Sequence, residues 1–220
     1  MKRGQGRPVK GYRTASGERV PGVTTILGRF KESGGLIHWA WKCGIDGINY
    51  RDARDKAASA GSIAHQWIDD HVHGQDLTEF PEASREDLDL AASGFDAFLE
   101  WFAQTRVQII ETETPLVSEE YRFAGTFDAL AEIGGRLVLL DWKTSNATYS
   151  DYVCQLAAYR QLLRERGDDV ATAQLLRVGK QYADFHLHAY PAGVLDMAWE
   201  FFRGARVLYD LDKSLRKVAA

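Results

Sequence analysis

At 220 residues, with 45% apolar and 26% charged side chains, the chain has the composition of a soluble globular protein with room for one ordinary core and a helical appendage. No apolar run approaches membrane-spanning length, no secretory hydrophobic segment opens the chain, and the two distant cysteines, Cys43 and Cys154, provide neither a disulfide framework nor a clustered thiolate site; a reducing cytoplasm and no membrane partner are expected. The net charge of −4 argues against a general nucleic-acid coat, yet it is unevenly spread: residues 1–60 hold 12 Lys/Arg against 5 acids, residues 61–141 hold 4 against 17, and the remainder 11 against 9, as suits a basic arm beside an acidic centre that needs a cation.

Residues 1–19 are rich in Gly, Arg and Lys and poor in core residues, which predicts a basic, mobile N-terminal segment. In Val20-Pro21-Gly22-Val23-Thr24-Thr25-Ile26-Leu27, Thr24 or Thr25 is expected to cap a short helix. Residues 36–50 carry apolar side chains near helical spacing, with Trp39 and Trp41 expected in the core rather than stacked on nucleobases. Residues 52–73 form a second helical stretch, broken at Gly61, with His71 and His73 on the surface. Ser84 then opens an amphipathic helix whose stripe is Leu88, Ala91, Phe95, Phe98, Leu99 and Phe102. Residues 107–114 alternate as a strand, with Leu116 and Val117 passing into a turn. Glu111, Glu113, Glu119 and Glu120 are extra acids within reach of a second cation, most of them more simply solvent-facing.

The stretch around which the chain is organised follows. Gly134-Gly135 separates two apolar runs, 121–133 and 136–142, and fits a two-residue hairpin loop. Folding there brings Asp128 near Asp141. Residues two apart in a strand share a face, so Asp141 and Lys143 project together while Val138, Leu140 and Trp142 pack on the other side. Two buried carboxylates cost several kcal/mol unless something pairs with them. Their oxygens and the Trp142 backbone carbonyl would suit a hard divalent ion such as Mg²⁺, and Lys143 would hold an attacking water or offset developing charge. The plainer reading makes Asp128 and Asp141 strand-end acids and Lys143 a salt-bridge partner. After a polar loop, Thr144-Ser145-Asn146, a helix over 151–166 places Gln155 and Tyr159 on one face. Strands over 173–178 and 183–190 flank Gly179-Lys180-Gln181, His186 and His188 share an exposed sheet face, and a closing helix spans 191–217.

Gly125-Thr126-Phe127-Asp128, Asp141-Trp142-Lys143-Thr144-Ser145 and Gln155-Leu156-Ala157-Ala158-Tyr159 together resemble the PD-(D/E)XK nuclease superfamily, in particular its RecB-type exonuclease branch of phages and bacteria. The Pro21 to Leu27 segment is similar to the N-terminus of such exonucleases. The resemblance implies an α/β, restriction-endonuclease-like core, a small mixed central sheet flanked by helices, with an N-terminal helical extension. It divides residues 20–220, one nuclease domain, into a helical part (20–105), a catalytic sheet core (106–190) and the closing helix (191–217). It implies His65, in Gly61-x-x-x-His65, as a further ligand beside Asp128, Asp141 and the Trp142 carbonyl; imidazole favours Mn²⁺ over Mg²⁺. It implies Asp128, Asp141 and Lys143 as catalytic, and Thr144, Ser145, Gln155 and Tyr159 as substrate-positioning. The four-cysteine iron–sulfur subgroup is excluded, because two cysteines cannot supply the ligands. The function implied is a Mg²⁺- or Mn²⁺-dependent deoxyribonuclease, an exonuclease acting on single- or double-stranded DNA ends in recombination, repair or phage DNA processing, in the host cytoplasm if phage-encoded, with a homo-oligomer or a recombination protein as partner. The alternatives are a nuclease-fold module that binds DNA or protein without cleavage and a structure-specific endonuclease.

Overall fold

The computed structural model describes residues 1–30, 34–145, 148–178 and 184–219. Asn146 and Gly179-Lys180-Gln181 lie outside the described residues. The elements are β1 (Lys2–Arg3), α1 (Val23–Phe30), α2 (Gly34–Ile45), α3 (Tyr50–Val72), α4 (Arg85–Gln104), β2 (Gln108–Ser118), β3 (Phe123–Ile133), β4 (Arg136–Thr144), α5 (Ser150–Arg166), β5 (Thr172–Val178), β6 (Phe185–Tyr190) and α6 (Ala192–Val218). The strands form one mixed sheet in sequence order. β2, β3 and β4 are antiparallel neighbours, β4 and β5 are parallel across the α5 connection, and β1 lies parallel to β2 at the edge. This is the restriction-endonuclease-like α/β architecture, a mixed sheet between helices.

Each face of the sheet has its own core. On one, Val23 and Ile26 of α1, Leu156, Tyr159 and Leu163 of α5 and Phe202 of α6 pack against Phe123, Leu139 and Leu175. On the other, Ile68 of α3 and Phe98 and Trp101 of α4 pack against Ala129, Leu140, Trp142 and Leu176. Trp142 meets Phe98 edge-on at 5.4 Å between ring centroids, so the residue between Asp141 and Lys143 is anchored in the opposite core. The period of two therefore acts as drawn from the sequence: anchoring Trp142 aims both flanking side chains to the other side.

Local signals held at the hairpin and at α4. Gly134 and Gly135 have φ of 60° and 76°, the backbone a two-residue hairpin loop requires. Ser84 caps α4, its side chain accepting from the Asp87 N–H. Four expectations are corrected. α1 begins at Val23, so Thr24 and Thr25 lie inside it, and the Gly22 carbonyl receives the Thr25 and Ile26 N–H groups. α3 runs unbroken through Gly61. β2 continues through Leu116 and Val117, paired to Gly125 and Ala124. On α2, Trp41 is exposed and Trp39 half-buried against Tyr50, because that helix packs on little beyond α3.

Residues 2–6 run along the outer edge of β2, with Lys2 opposite Glu111 and Arg3 opposite Thr112. Among the described residues no helix is long and apolar enough to cross a membrane.

Candidate active site

The site begins where two strands part. β3 and β4 pair from the hairpin only as far as Ala129 opposite Leu140, although each strand continues. The next step of that register faces Asp128 with Asp141. On the far side of β3, Thr112 opposite Ala129 and Thr114 opposite Phe127 bracket Glu113, which stands across from Asp128. Three carboxylates thus occupy one row over three adjacent strands, at a fork. Parting strands leave backbone donors without ladder partners. The Trp142 N–H is one of these, and it donates to Asp128 Oδ2 at 2.9 Å.

α3 covers the fork. Gly61 lets the helix come close: a Cβ there would lie 2.8 Å from Thr144 Oγ1. One turn on, His65 points at the acids. Ligand atoms of His65, Glu113 and Asp128 all lie within 4.8 Å of one another, a donor set of one imidazole nitrogen and two carboxylates suited to a divalent ion. His65 is held neutral, its pKa lowered to about 4 by burial and then by the Lys143 charge, while a hydrogen bond to the Trp142 backbone opposes the shift. A ring nitrogen donating to that carbonyl leaves the other free as a ligand. The Trp142 carbonyl expected as a ligand therefore also orients the imidazole.

Asp141 is the most deeply placed acid, 1% exposed. Its Oδ2 forms an ion pair with the Lys143 ammonium at 2.5 Å, but among the described residues neither buried oxygen has a partner aligned for a hydrogen bond, and Oδ1 has no ion pair either. A buried carboxylate oxygen in that state is costly, and a cation beside it would resolve the cost. Asp128 and Asp141 are both raised above their ordinary pKa by burial, with Lys143 opposing the shift. Lys143 also sits 5.5 Å from the Tyr152 ring centroid. Burial alone would lower its pKa, but Asp141 and Asp128 outweigh burial and raise it.

Glu113 was legible only as one of four extra acids, and the four have different surroundings. Glu119 and Glu120 are exposed. Glu111 is buried and its pKa is lowered; burial opposes that shift, while Thr114 and Arg166, the latter 2.7 Å away, produce it. Glu113 has a pKa raised to about 8 by burial, then by Asp128, Asp69 and Asp141. His73, expected on the surface, is half-buried with Nε2 2.9 Å from Thr112 Oγ1. His71 is exposed, its ring edge-on to Phe95, Phe98 and Phe102.

The remaining expected residues divide between wall and support. Thr144 lines a cleft of ≈ 620 Å³ together with Arg3, Gly61, His65, Asp69 and Glu113. Ser145 follows it in the chain, its carbonyl accepting from Arg177 at 3.1 Å. Gln155 Nε2 donates to the Tyr159 hydroxyl at 2.9 Å. Tyr159 is 5% exposed and its ring lies where a Cβ on Gly125 would collide with it. The glycine of the first motif and the tyrosine of the third are thus two halves of one contact.

A family model described as the PD-(D/E)XK nuclease superfamily matches residues 32–212. Comparison with curated proteins finds no match. Among solved structures, the chain is similar to a candidate exonuclease from Eubacterium rectale at 14% identity and a TM-score of 0.47, over 66% of this chain and 64% of that one. It is also similar to an alkaline exonuclease from Laribacter hongkongensis at 11% identity and a TM-score of 0.40, over 74% and 91%. The chain thus spans a little under two thirds of the length of the first of these relatives. With the family match running from before α2 into α6, through every residue of the fork, this chain belongs to the PD-(D/E)XK nuclease superfamily.

Proposed function

We propose that the chain is a divalent-metal-dependent deoxyribonuclease that hydrolyses DNA phosphodiester bonds, acting as an exonuclease from free ends. Nucleases of this superfamily use divalent metal ions and the fold implies a DNA substrate. One observation carries the reading: His65, Glu113 and Asp128 converge within 4.8 Å beside the buried Asp141–Lys143 pair. A module that only bound DNA would have no use for buried acids that repel phosphate. The exonuclease assignment rests on the three motifs of the RecB-type branch, Gly125 to Asp128, Asp141 to Ser145 and Gln155 to Tyr159.

His65, Glu113, Asp128 and Asp141 would hold Mg²⁺ or Mn²⁺, with the Trp142 carbonyl beside them. The bound ion would supply charge neutralisation at the scissile phosphate and polarisation of water. Lys143 Nζ, set by Asp141, orients the attacking water and offsets charge on the phosphoryl oxygens. Thr144 and Ser145 hydroxyls donate to backbone phosphates. Tyr159, too buried to reach DNA, fixes the Gln155 amide.

The test is cleavage of end-labelled single- and double-stranded DNA with Mg²⁺, Mn²⁺ or chelator, alongside covalently closed circles. The expected result is metal-dependent shortening from ends, no cutting of circles, and a loss of about 10³-fold for Lys143→Ala with DNA binding retained. Cutting of circles would make it an endonuclease; undiminished cleavage by Lys143→Ala would defeat the mechanism.

A further inference from the structure

In a regular strand successive carbonyls point to opposite edges. On β2 two in a row point to the same edge. The Thr112 carbonyl accepts from Gly4 N–H at 2.7 Å and the Glu113 carbonyl from Gly6 N–H at 2.8 Å. The intervening peptide is turned by Glu113, whose φ is 45°. A non-glycine residue enters that left-handed region at a cost of about 1 kcal/mol, and local departures of this kind re-aim side chains beside active sites. Here the residue re-aimed is the glutamate that joins His65 and Asp128.

The N-terminal strand is fitted closely to this irregularity. A Cβ on Gly4 would collide with the Glu113 carbonyl and the Thr114 Cα, so a residue with a side chain cannot lie this near. The neighbouring Arg3 reaches across to α3, its guanidinium 2.5 Å from Asp69 Oδ2 and 3.2 Å from Asp70 Oδ1. Asp69 stands one helical turn beyond His65. Asp69 is itself held by Thr112 Oγ1, which donates to its Oδ1 at 2.7 Å. Four consecutive residues, Arg3 to Gly6, therefore touch the backbone of one member of the fork cluster and the helix carrying another, and all four line the cleft.

We propose that Arg3–Gly6 is a positioning strap: it fixes the left-handed backbone of Glu113 and, through Asp69, the seat of α3 under His65, and so presets the metal geometry. This rests on the metal-site reading above. The strap residues act through Glu113 and His65 and carry out no chemistry themselves.

The test is calorimetric titration of the full chain with Mn²⁺ alone, on the unaltered protein, Gly4→Ala and Arg3→Gln, each repeated with Glu113→Gln. Thermal melts of every variant accompany it. The strap predicts Mn²⁺ affinity about tenfold weaker in Gly4→Ala and about threefold weaker in Arg3→Gln, within the range seen when groups that orient ligands are lost. In the Glu113→Gln background Gly4→Ala should cost no further affinity. For Gly4→Ala, equal losses in both backgrounds, or none in either, would overturn the strap; Arg3→Gln, which acts through Asp69 and His65, should keep its loss in both. If Gly4→Ala does not fold, Arg3→Gln, which alters no backbone contact, decides alone by its own loss or lack of loss. An unaltered chain that takes up no Mn²⁺ would remove the metal centre and the strap together; one that binds Mn²⁺ while the strap variants match it would remove the strap only.

Discussion

Glu111 and Glu113 show what a sequence can and cannot place. A regular strand would send both to one face, and nothing in Glu-Thr-Glu-Thr distinguishes them. The left-handed φ at Glu113 separates them, one to Arg166 and the other to the fork. By contrast Asp128, Asp141 and Lys143 were legible because charges inside apolar runs contradict burial unless paired. The raised Glu113 pKa has a consequence for stability. A carboxyl raised from 4.5 to about 8 leaves the folded state the more protonated between those values, so ionising it removes stability as pH rises through 8. His65, lowered from 6.5 to about 4, acts the other way, removing stability as pH falls from 6.5 through 4. The window in which Glu113 acts without His65 is pH 6.5 to 8. Metal-free protein should lose about 1–2 kcal/mol across it, seen as a falling Tm, and Glu113→Gln should flatten the profile. An equally steep profile in Glu113→Gln would assign the loss elsewhere.

At the scale of elements, close approaches set the site. Gly61 was expected to interrupt a helix, because glycine costs a helix interior roughly 1 kcal/mol relative to alanine. The helix is continuous, and the missing Cβ is what seats α3 against Thr144. Helix propensity alone predicts that Gly61→Ala stabilises; the 2.8 Å approach to Thr144 Oγ1 predicts the reverse. The contact should win, lowering Tm and weakening metal affinity as His65 lifts. In a Thr144→Ala background Gly61→Ala should instead raise Tm, and a fall there would refute this explanation. The Gly125–Tyr159 contact makes a parallel case. Gly125→Ala should cost about 1–3 kcal/mol by overpacking against the ring, and Tyr159→Ala should relieve part of it in a double-mutant cycle. Fully additive losses would mean the two residues do not meet. Motif spacing revealed both glycines but not their partners, which come from other elements.

For the whole molecule, the order of helices and strands was legible from periodicity, turn residues and the Ser84 cap, and the motif set identified the architecture. Burial of the outer helices was less so. Apolar spacing on α2 reads as core, yet Leu36, Ile37 and Trp41 are more than half exposed, as are Met197, Phe201, Leu211 and Leu215 of α6; periodicity marks an apolar face without saying what covers it. The basic N-terminal residues have no apolar pattern at all, and their place on β2 follows from backbone hydrogen bonds and the Arg3 ion pairs. Three acids of the middle third, Glu113, Asp128 and Asp141, do gather at one place, the fork. That convergence is most directly tested by a crystal structure of the chain soaked with Mn²⁺, located by its anomalous signal. The account predicts a peak about 2–2.3 Å from ligand atoms of His65, Glu113 and Asp128, with Asp141 Oδ1 turned toward it. A peak elsewhere, or none at this fork while the protein cleaves DNA, would contradict it.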